Sequence, residues 1–304
     1  MDTMDRAKAS AARKRVIVYW GDSTVLQQWD FFMHILGPKA KTNGCKAMHE
    51  QCPTRTAEIE DADFAIEDLT LDQTAVQYVS KSGKTVSRVQ VEFAWVSGEL
   101  CDIPVKVYFV GARKTNIPVK FAADIIDQIS KGQGNDSLAD LRSPWAFIAG
   151  GSGMHHLKLA PLRPSVLPAA QTDWVNRQEY VSSGLEGAAK FFPANTHFYY
   201  FTVHAVCESA LEPELRPLVA KYKNGHGVCD WLPECQKATL TEDGSRRFRA
   251  SELEALREQP ATPKWNLIDG YARTVDKCWA GVLGLGRHYP PIVPSFVTDV
   301  LANW

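Results

Sequence analysis

The chain has 304 residues, of which 45% are hydrophobic and 10% aromatic, enough to build the core of a globular protein. Its 34 basic and 35 acidic residues nearly cancel, so the charge balance gives no reason to expect a nucleic acid or an anionic membrane as partner. No apolar run approaches the roughly 20 residues that a membrane-spanning helix needs.

Residues 1–15 are small, charged and polar, and we expect them to form a flexible segment. They lack the apolar central stretch of a secretory signal, so the sequence as given predicts a cytoplasmic protein. If a leader or anchor has been lost, the alternative is the Golgi or the cell exterior. Residues 16–304 are expected to form a single domain with an elaborated insertion around 38–100.

The first predicted elements are a strand and a helix. Residues 16–20 (VIVYW) are a continuous apolar run, typical of a strand covered on both faces of a parallel sheet. Apolar residues at helical spacing follow as far as Leu36, and Gly37-Pro38 ends the helix. Residues 39–70 look irregular. The next segment, 74–95, alternates on either side of a polar turn and predicts a hairpin.

Strands and helices then alternate along the rest of the chain. The pattern predicts strands within 105–114, 144–157, 196–206 and 265–272, and helices over 119–130, 251–259 and the last residues, 294–304. This alternation is typical of an α/β fold with a largely parallel sheet.

Three predicted loops have residues suited to acyl chemistry. Gly21-Asp22-Ser23 puts a hydroxyl at a helix N-terminus, where backbone N–H groups and the helix dipole favour a developing oxyanion. The glycine-rich 150–155 (GGSGMH) exposes backbone donors. His288 stands just before the closing helix, and histidine is the usual base for a serine nucleophile. The simpler alternative for Ser23 is a helix cap.

The motifs "GDSTVLQQW" and "GRHYPP" resemble those of the SGNH/GDSL hydrolases, most closely the branch with PC-esterase and neurexophilin-and-PC-esterase domains. The resemblance is carried by motifs in the same order over nearly the whole chain. It implies a flavodoxin-like three-layer α/β/α sandwich with a mostly parallel sheet. It also implies esterase or O-acyltransferase activity on O-acyl groups, most commonly O-acetyl, of a carbohydrate or small polyol, with no metal or organic cofactor.

The resemblance also assigns roles to residues of this chain. Ser23 corresponds to the nucleophile and His288 to the base. Backbone N–H groups of Ser23 and Gly111, with donors from Gly153 and His155, correspond to the oxyanion hole. Gly111 can also simply end a strand, and His155 can be an ordinary loop residue.

This sequence departs from the family pattern at the acid. The family has aspartate three residues before the histidine, where this chain has Leu285, and leucine cannot accept a hydrogen bond from an imidazole. Three alternatives follow: a backbone carbonyl orients His288 in a Ser–His dyad, Asp276 or Asp269 replaces the acid, or the protein binds a ligand without catalysis.

Other motifs indicate competing sites. The glycines of "AGGSG" and "GVLGLG" do not form the dinucleotide fingerprint after a first strand. His226, Cys229 and Cys235 fit no common zinc module, and a disulfide or free thiols explain these cysteines better. Cys207 beside His204 could be a nucleophile, but a core position explains it better. Cys45 and Cys52 could close a small disulfide loop.

Overall fold

The computed structural model describes residues 14–43, 52–60, 75–111, 119, 122–131, 135–150, 174–211, 241–282, 286 and 288–304. Within them a nine-stranded sheet runs in the order β2-β5-β6-β1-β7-β8-β9, with β3 and β4 also paired to β5. The strands are β1 (Arg15–Gly21), β2 (Lys41–Thr42), β3 (Thr54–Glu60), β4 (Ala75–Val79), β5 (Thr85–Leu100), β6 (Ile103–Gly111), β7 (Ala146–Gly150), β8 (His197–Phe201) and β9 (Trp265–Ile268).

Seven α-helices are described. They are α1 (Ser23–Leu36), α2 (Ala122–Ser130), α3 (Asn135–Arg142), α4 (Trp174–Phe191), α5 (Glu242–Arg257), α6 (Gly270–Thr274) and α7 (Val293–Leu301). Short 3₁₀ turns at Cys278–Ala280 and Pro290–Ile292 flank the segment that contains His288. None of the described helices combines the length and the apolarity that crossing a bilayer requires.

Five adjacent strands form a parallel half of the sheet. β1 pairs with β6 and β7, β7 pairs with β8, and β8 pairs with β9, all in parallel. The strand predicted at 16–20 lies at the centre of this half, where it is buried on both faces, as its continuous apolar run predicts. The carboxyl ends of the five strands therefore lie along one edge of the sheet.

The predicted mostly parallel sheet is wrong for the other half, and the sheet is mixed. β5 is antiparallel to β6, and β2, β3 and β4 are each antiparallel to β5. The physical reason is the connection between β5 and β6. Cys101 and Asp102 both have positive φ, 51° and 60°, as in a type I′ turn, and so tight a hairpin joins only antiparallel strands.

Helices cover both faces of the sheet. On one face α2, α4 and α5 pack against alternate residues of β1, among them Val16 and Val18. On the opposite face α1 and α7 share a core with Ile17 and Tyr19. This second core therefore holds the two helices next to the candidate residues, because α1 begins at Ser23 and α7 follows His288 closely in the chain.

Candidate active site

Ser23 is the first residue of α1, directly beyond the carboxyl end of β1. Asp22 caps the helix: its Oδ1 accepts hydrogen bonds from the Thr24 N–H at 2.8 Å and from the Thr24 hydroxyl at 2.7 Å. Asp22 and Thr24 are buried, whereas Ser23 is half-buried. Asp22 is thus the helix cap, and the Ser23 hydroxyl remains accessible for chemistry.

The Ser23 hydroxyl contacts His288. Its Oγ lies 2.9 Å from the His288 Nε2, although the two residues are 265 positions apart in sequence. This distance suits a hydrogen bond in which the serine hydroxyl donates to Nε2 while the ring proton sits on Nδ1. The structure therefore brings together the predicted nucleophile and the predicted base in hydrogen-bonding contact.

Several contacts hold the segment around His288. The Val282 N–H donates to the His288 carbonyl at 2.9 Å, and the Cys207 N–H donates to the Gly286 carbonyl at 2.6 Å. The fully buried Tyr289 donates its hydroxyl to the Ala205 carbonyl at 2.9 Å. The bonds to Cys207 and Ala205 tie the segment to residues that follow β8.

A disulfide adds a covalent tie between the same two parts of the chain. Cys207, after β8, is bonded to Cys278 in the 3₁₀ turn that precedes the His288 segment. Cys207 is buried, which confirms the core position, and its sulfur is engaged in the disulfide and so is not a nucleophile in this structure. Sequence reasoning missed this pair, because the two cysteines are 71 positions apart and no local spacing connects them.

Three glycines lie in register at the carboxyl ends of the neighbouring strands β6, β1 and β7, of which β1 leads to Ser23. Gly21 pairs with Gly111 on one side and with Gly150 on the other. A Cβ on Gly21 would lie 2.0 Å from the Gly150 carbonyl oxygen, closer than any side chain can approach. Gly111, predicted as an oxyanion-hole residue, thus ends the strand next to the one that leads to Ser23.

The N-terminus of α1 offers one donor of the predicted oxyanion hole. The N–H groups of Thr24, Val25 and Leu26 bond to Asp22, whereas the Ser23 N–H donates to no described residue. This N–H is therefore available to a ligand at the positive end of a helix of 14 residues. Gly153 and His155, the other predicted donors, lie outside the described residues.

Asp269, one of the two predicted acids, binds an arginine. Its carboxylate accepts a two-pronged hydrogen bond from Arg249, a bond from the Thr202 hydroxyl at 3.1 Å and one from the Ala272 N–H at 3.0 Å. Burial alone would raise the pKa of Asp269, but the bonds from Arg249 and Ala272 outweigh it and hold the pKa below its ordinary value. His288 is not among these partners.

Asp276, the other predicted acid, is exposed in the turn after α6. It makes no hydrogen bond or ion pair with any described residue. The structure thus brings neither carboxylate into hydrogen-bonding contact with His288. Leu285 and the zinc candidates His226, Cys229 and Cys235 lie outside the described residues. Cys52 is disulfide-bonded, but Cys45, its predicted partner, also lies outside them.

No protein-family model and no curated protein matches this sequence. Among solved structures, the chain is similar to a DUF4886 family protein from Bacteroides uniformis, with 8% sequence identity and a TM-score of 0.38. The similarity covers 96% of this chain and 84% of the other.

Proposed function

We propose that this protein is a serine-dependent esterase or O-acyltransferase, with Ser23 as nucleophile and His288 as general base. The observation that carries the proposal is the 2.9 Å contact between Ser23 Oγ and His288 Nε2 at the N-terminus of α1. The proposed substrate is an O-acyl ester, most simply an O-acetyl ester, of a carbohydrate or small polyol.

The proposed reaction proceeds through an acyl-enzyme. His288 takes the Ser23 proton as Oγ attacks the ester carbonyl, and the Ser23 N–H with the proposed donor Gly111 stabilises the tetrahedral oxyanion. The intermediate collapses, the C–O bond to the alcohol breaks, and His288 returns the proton to the leaving alcohol. Water then releases the acid and frees Ser23; an acceptor hydroxyl in place of water gives acyl transfer.

His288 is proposed to work without Asp269 or Asp276. The Asp269 carboxylate is bound to Arg249, Thr202 and Ala272, and Asp276 has no described hydrogen-bond partner. Of the alternatives for the acid, a Ser–His dyad whose imidazole is oriented by a backbone carbonyl is consistent with both observations. Replacement of Asp276 by Asn should then leave esterase activity unchanged.

The topology supports a flavodoxin-like architecture of the SGNH type for the parallel half. Numbered along the chain, its five strands have the spatial order 2-1-3-4-5, and helices cover both faces. In such sheets ligands bind beyond the carboxyl ends of the strands, beside the first strand. Ser23 follows β1, the first strand of this order.

The disulfides support the secretory-pathway alternative for location over the cytoplasm. Cys207 is bonded to Cys278, and Cys52 is also disulfide-bonded. Structural disulfides persist in oxidising compartments and are rare in the cytosol. We therefore propose the Golgi or the cell exterior as the location of the esterase.

Hydrolysis of p-nitrophenyl acetate and labelling with a fluorophosphonate probe test the Ser–His pair. Ser23→Ala should abolish labelling, and Ser23→Ala and His288→Ala should each lower kcat by at least about 10³-fold, because the nucleophile and its base act as a unit. Mass spectrometry of the labelled wild type should find the adduct on Ser23.

Two matched variants control for unspecific effects. Ser82→Ala removes an exposed serine in the β4–β5 turn, and His34→Ala removes an exposed histidine from the last turn of α1. Both should retain wild-type turnover and labelling. A wild type that is not labelled and turns over only at background rate would reject the esterase and support the second candidate, a ligand-binding protein. The missing contact between His288 and the two predicted acids is the observation that favours this candidate.

A further inference from the structure

An exposed tryptophan lies close in the chain to the proposed base. Trp279, in the turn Cys278–Ala280, is 77% exposed to solvent. By contrast, Trp20 and Trp29 are buried, and Trp95, Trp145, Trp265 and Trp304 are partly buried. An indole face open to solvent can stack on a ring of a bound molecule, and its place near His288 in the chain makes Trp279 a candidate contact for a ligand.

Trp279 is linked to the site through backbone contacts. Three residues further along, the Val282 N–H donates to the carbonyl of His288 itself, and three peptide units span at most about 11 Å. A Cβ on the intervening Gly281 would lie 3.5 Å from the Tyr289 ring. The Trp279 backbone is thus no more than about 11 Å from Val282, which is hydrogen-bonded to His288.

The turn that contains Trp279 is held in place. Cys278, its neighbour, is bonded to Cys207, and the Ala280 N–H donates to the Lys277 carbonyl at 2.8 Å. Ala280 is buried beneath the turn. A backbone fixed before binding loses little conformational entropy when a ligand docks, so the indole is suited to a preformed contact.

We propose that Trp279 is a specificity-determining residue that stacks on a sugar ring of the ester substrate. The proposal rests on the proposed function. A flat, open indole face matches the apolar C–H face of a pyranose, whose hydroxyls stay in water. An acyl chain, in contrast, would need an enclosed apolar channel to bury its surface, and an indole that is 77% exposed provides none.

The test compares esters with and without a sugar. Trp279→Ala should raise KM about tenfold for at least one of a set of O-acetylated xylo-, manno- and chito-hexasaccharides and leave kcat/KM for p-nitrophenyl acetate unchanged. Trp279→Phe, which keeps a smaller aromatic face, should recover part of the loss. Leu267→Ala removes another exposed apolar side chain, on β9, and should have no effect on either substrate.

The outcomes separate this proposal from the esterase itself. An unchanged KM for every saccharide that the wild type hydrolyses, or wild-type hydrolysis of p-nitrophenyl acetate but of no saccharide, would overturn the stacking role. A changed preference between p-nitrophenyl acetate and octanoate in Trp279→Ala would assign the indole to the acyl chain and also overturn it. Calorimetry with unesterified hexasaccharides measures binding without turnover. About tenfold weaker binding to Trp279→Ala than to the wild type would support stacking, even if an active Ser23→Ala variant refuted the proposed nucleophile.

Discussion

Gly21 is the last residue of β1, and a side chain here would overlap the neighbouring strand β7. The position that a Cβ would occupy lies 2.0 Å from the Gly150 carbonyl oxygen and 2.7 Å from Val25 Cγ2. The carbonyl belongs to a central parallel strand and has no room to retreat. The path of the backbone at this point, and with it the position of Ser23, therefore requires glycine here.

Gly21→Ala should destabilise the protein by about 3 kcal/mol or more, because the added methyl group forces β1 and β7 apart. It should also lower esterase activity, since the proposed nucleophile Ser23, the first residue of α1, lies only two residues further along the chain. Urea denaturation followed by circular dichroism measures the first effect, and p-nitrophenyl acetate turnover the second.

Gly98→Ala is the matched control within the same sheet. Its Cβ would lie 3.4 Å from the Leu36 side chain, an ordinary van der Waals distance. We expect its free energy of unfolding to stay within about 0.5 kcal/mol of the wild type. Equal stabilities of the two variants would contradict the steric explanation for Gly21.

The sequence predicts the Ser23–His288 contact but not the hydrogen-bond partners of Asp269, the residue predicted as a possible acid. Ser23 and His288 could be paired because each lies in a motif whose place along the chain is informative. The ion pair between Asp269 and Arg249 could not be predicted. Arg249 lies on a helix 20 residues earlier in the chain, and any exposed lysine or arginine would have seemed an equally suitable partner. Hydrogen bonds between distant side chains depend on packing that no local pattern specifies.

Elements with a strong local pattern were predicted, and those that depend on pairing were not. The strand at β1, the β4–β5 hairpin and the closing helix α7 are confirmed. The direction of β5 relative to β6 was missed, because it depends on two positive-φ residues, Cys101 and Asp102, that are not the usual glycine or asparagine. β3, within 39–70, was also missed, because its exposed charged residues alternate with few apolar ones.

The segment between the Cys278 turn and α7 is the element on which the proposed base depends. It is tied to the residues after β8 by the Cys207–Cys278 disulfide and by the hydrogen bonds of Gly286 and Tyr289. Removing the disulfide leaves only the hydrogen bonds. The His288 ring should then spend less time within reach of Ser23.

The double variant Cys207→Ala/Cys278→Ala should lose stability and activity together. Closing a loop of 71 residues is worth about 4 kcal/mol in the chain-entropy description. We expect a drop of that order in the free energy of unfolding and a lower kcat for p-nitrophenyl acetate at a temperature where the variant stays folded.

Cys101→Ser serves as the control for this pair. Cys101 is exposed and forms no disulfide, so its replacement should change neither quantity. An unchanged kcat in the folded double variant would show that hydrogen bonds alone position His288. The disulfide would then contribute to stability and not to catalysis.

At the scale of the whole molecule, one buried carboxyl makes the stability of the fold depend on pH. Glu252 on α5 is 1% exposed and accepts hydrogen bonds from the Val203 N–H and the Tyr200 hydroxyl, both at 2.9 Å. Burial raises the pKa of Glu252 to about 8, although these two bonds act in the opposite direction. Nearby Asp269 raises this pKa further, and Arg249 lowers it.

The folded protein therefore keeps a proton on Glu252 that the unfolded chain loses near the ordinary pKa of 4.5. Between that value and about 8 the native state binds more protons, so stability falls as pH rises, by at most about 1.4 kcal/mol per pH unit from this group. Below pH 4.5 both states are protonated and above 8 both are ionised, so the contribution to the slope disappears.

Glu252→Gln should remove this contribution, because the amide keeps the shape and an acceptor oxygen but does not titrate. Urea denaturation from pH 5 to beyond pH 8 should show the variant gaining stability relative to the wild type as pH rises, with the difference levelling off above 8. Glu254→Gln, which alters a half-buried carboxylate on the same helix that is paired with Arg257, should leave the pH dependence of the wild type unchanged. Parallel curves for wild type and Glu252→Gln would mean that Glu252 is already ionised in the fold, with its two hydrogen bonds outweighing the cost of burial.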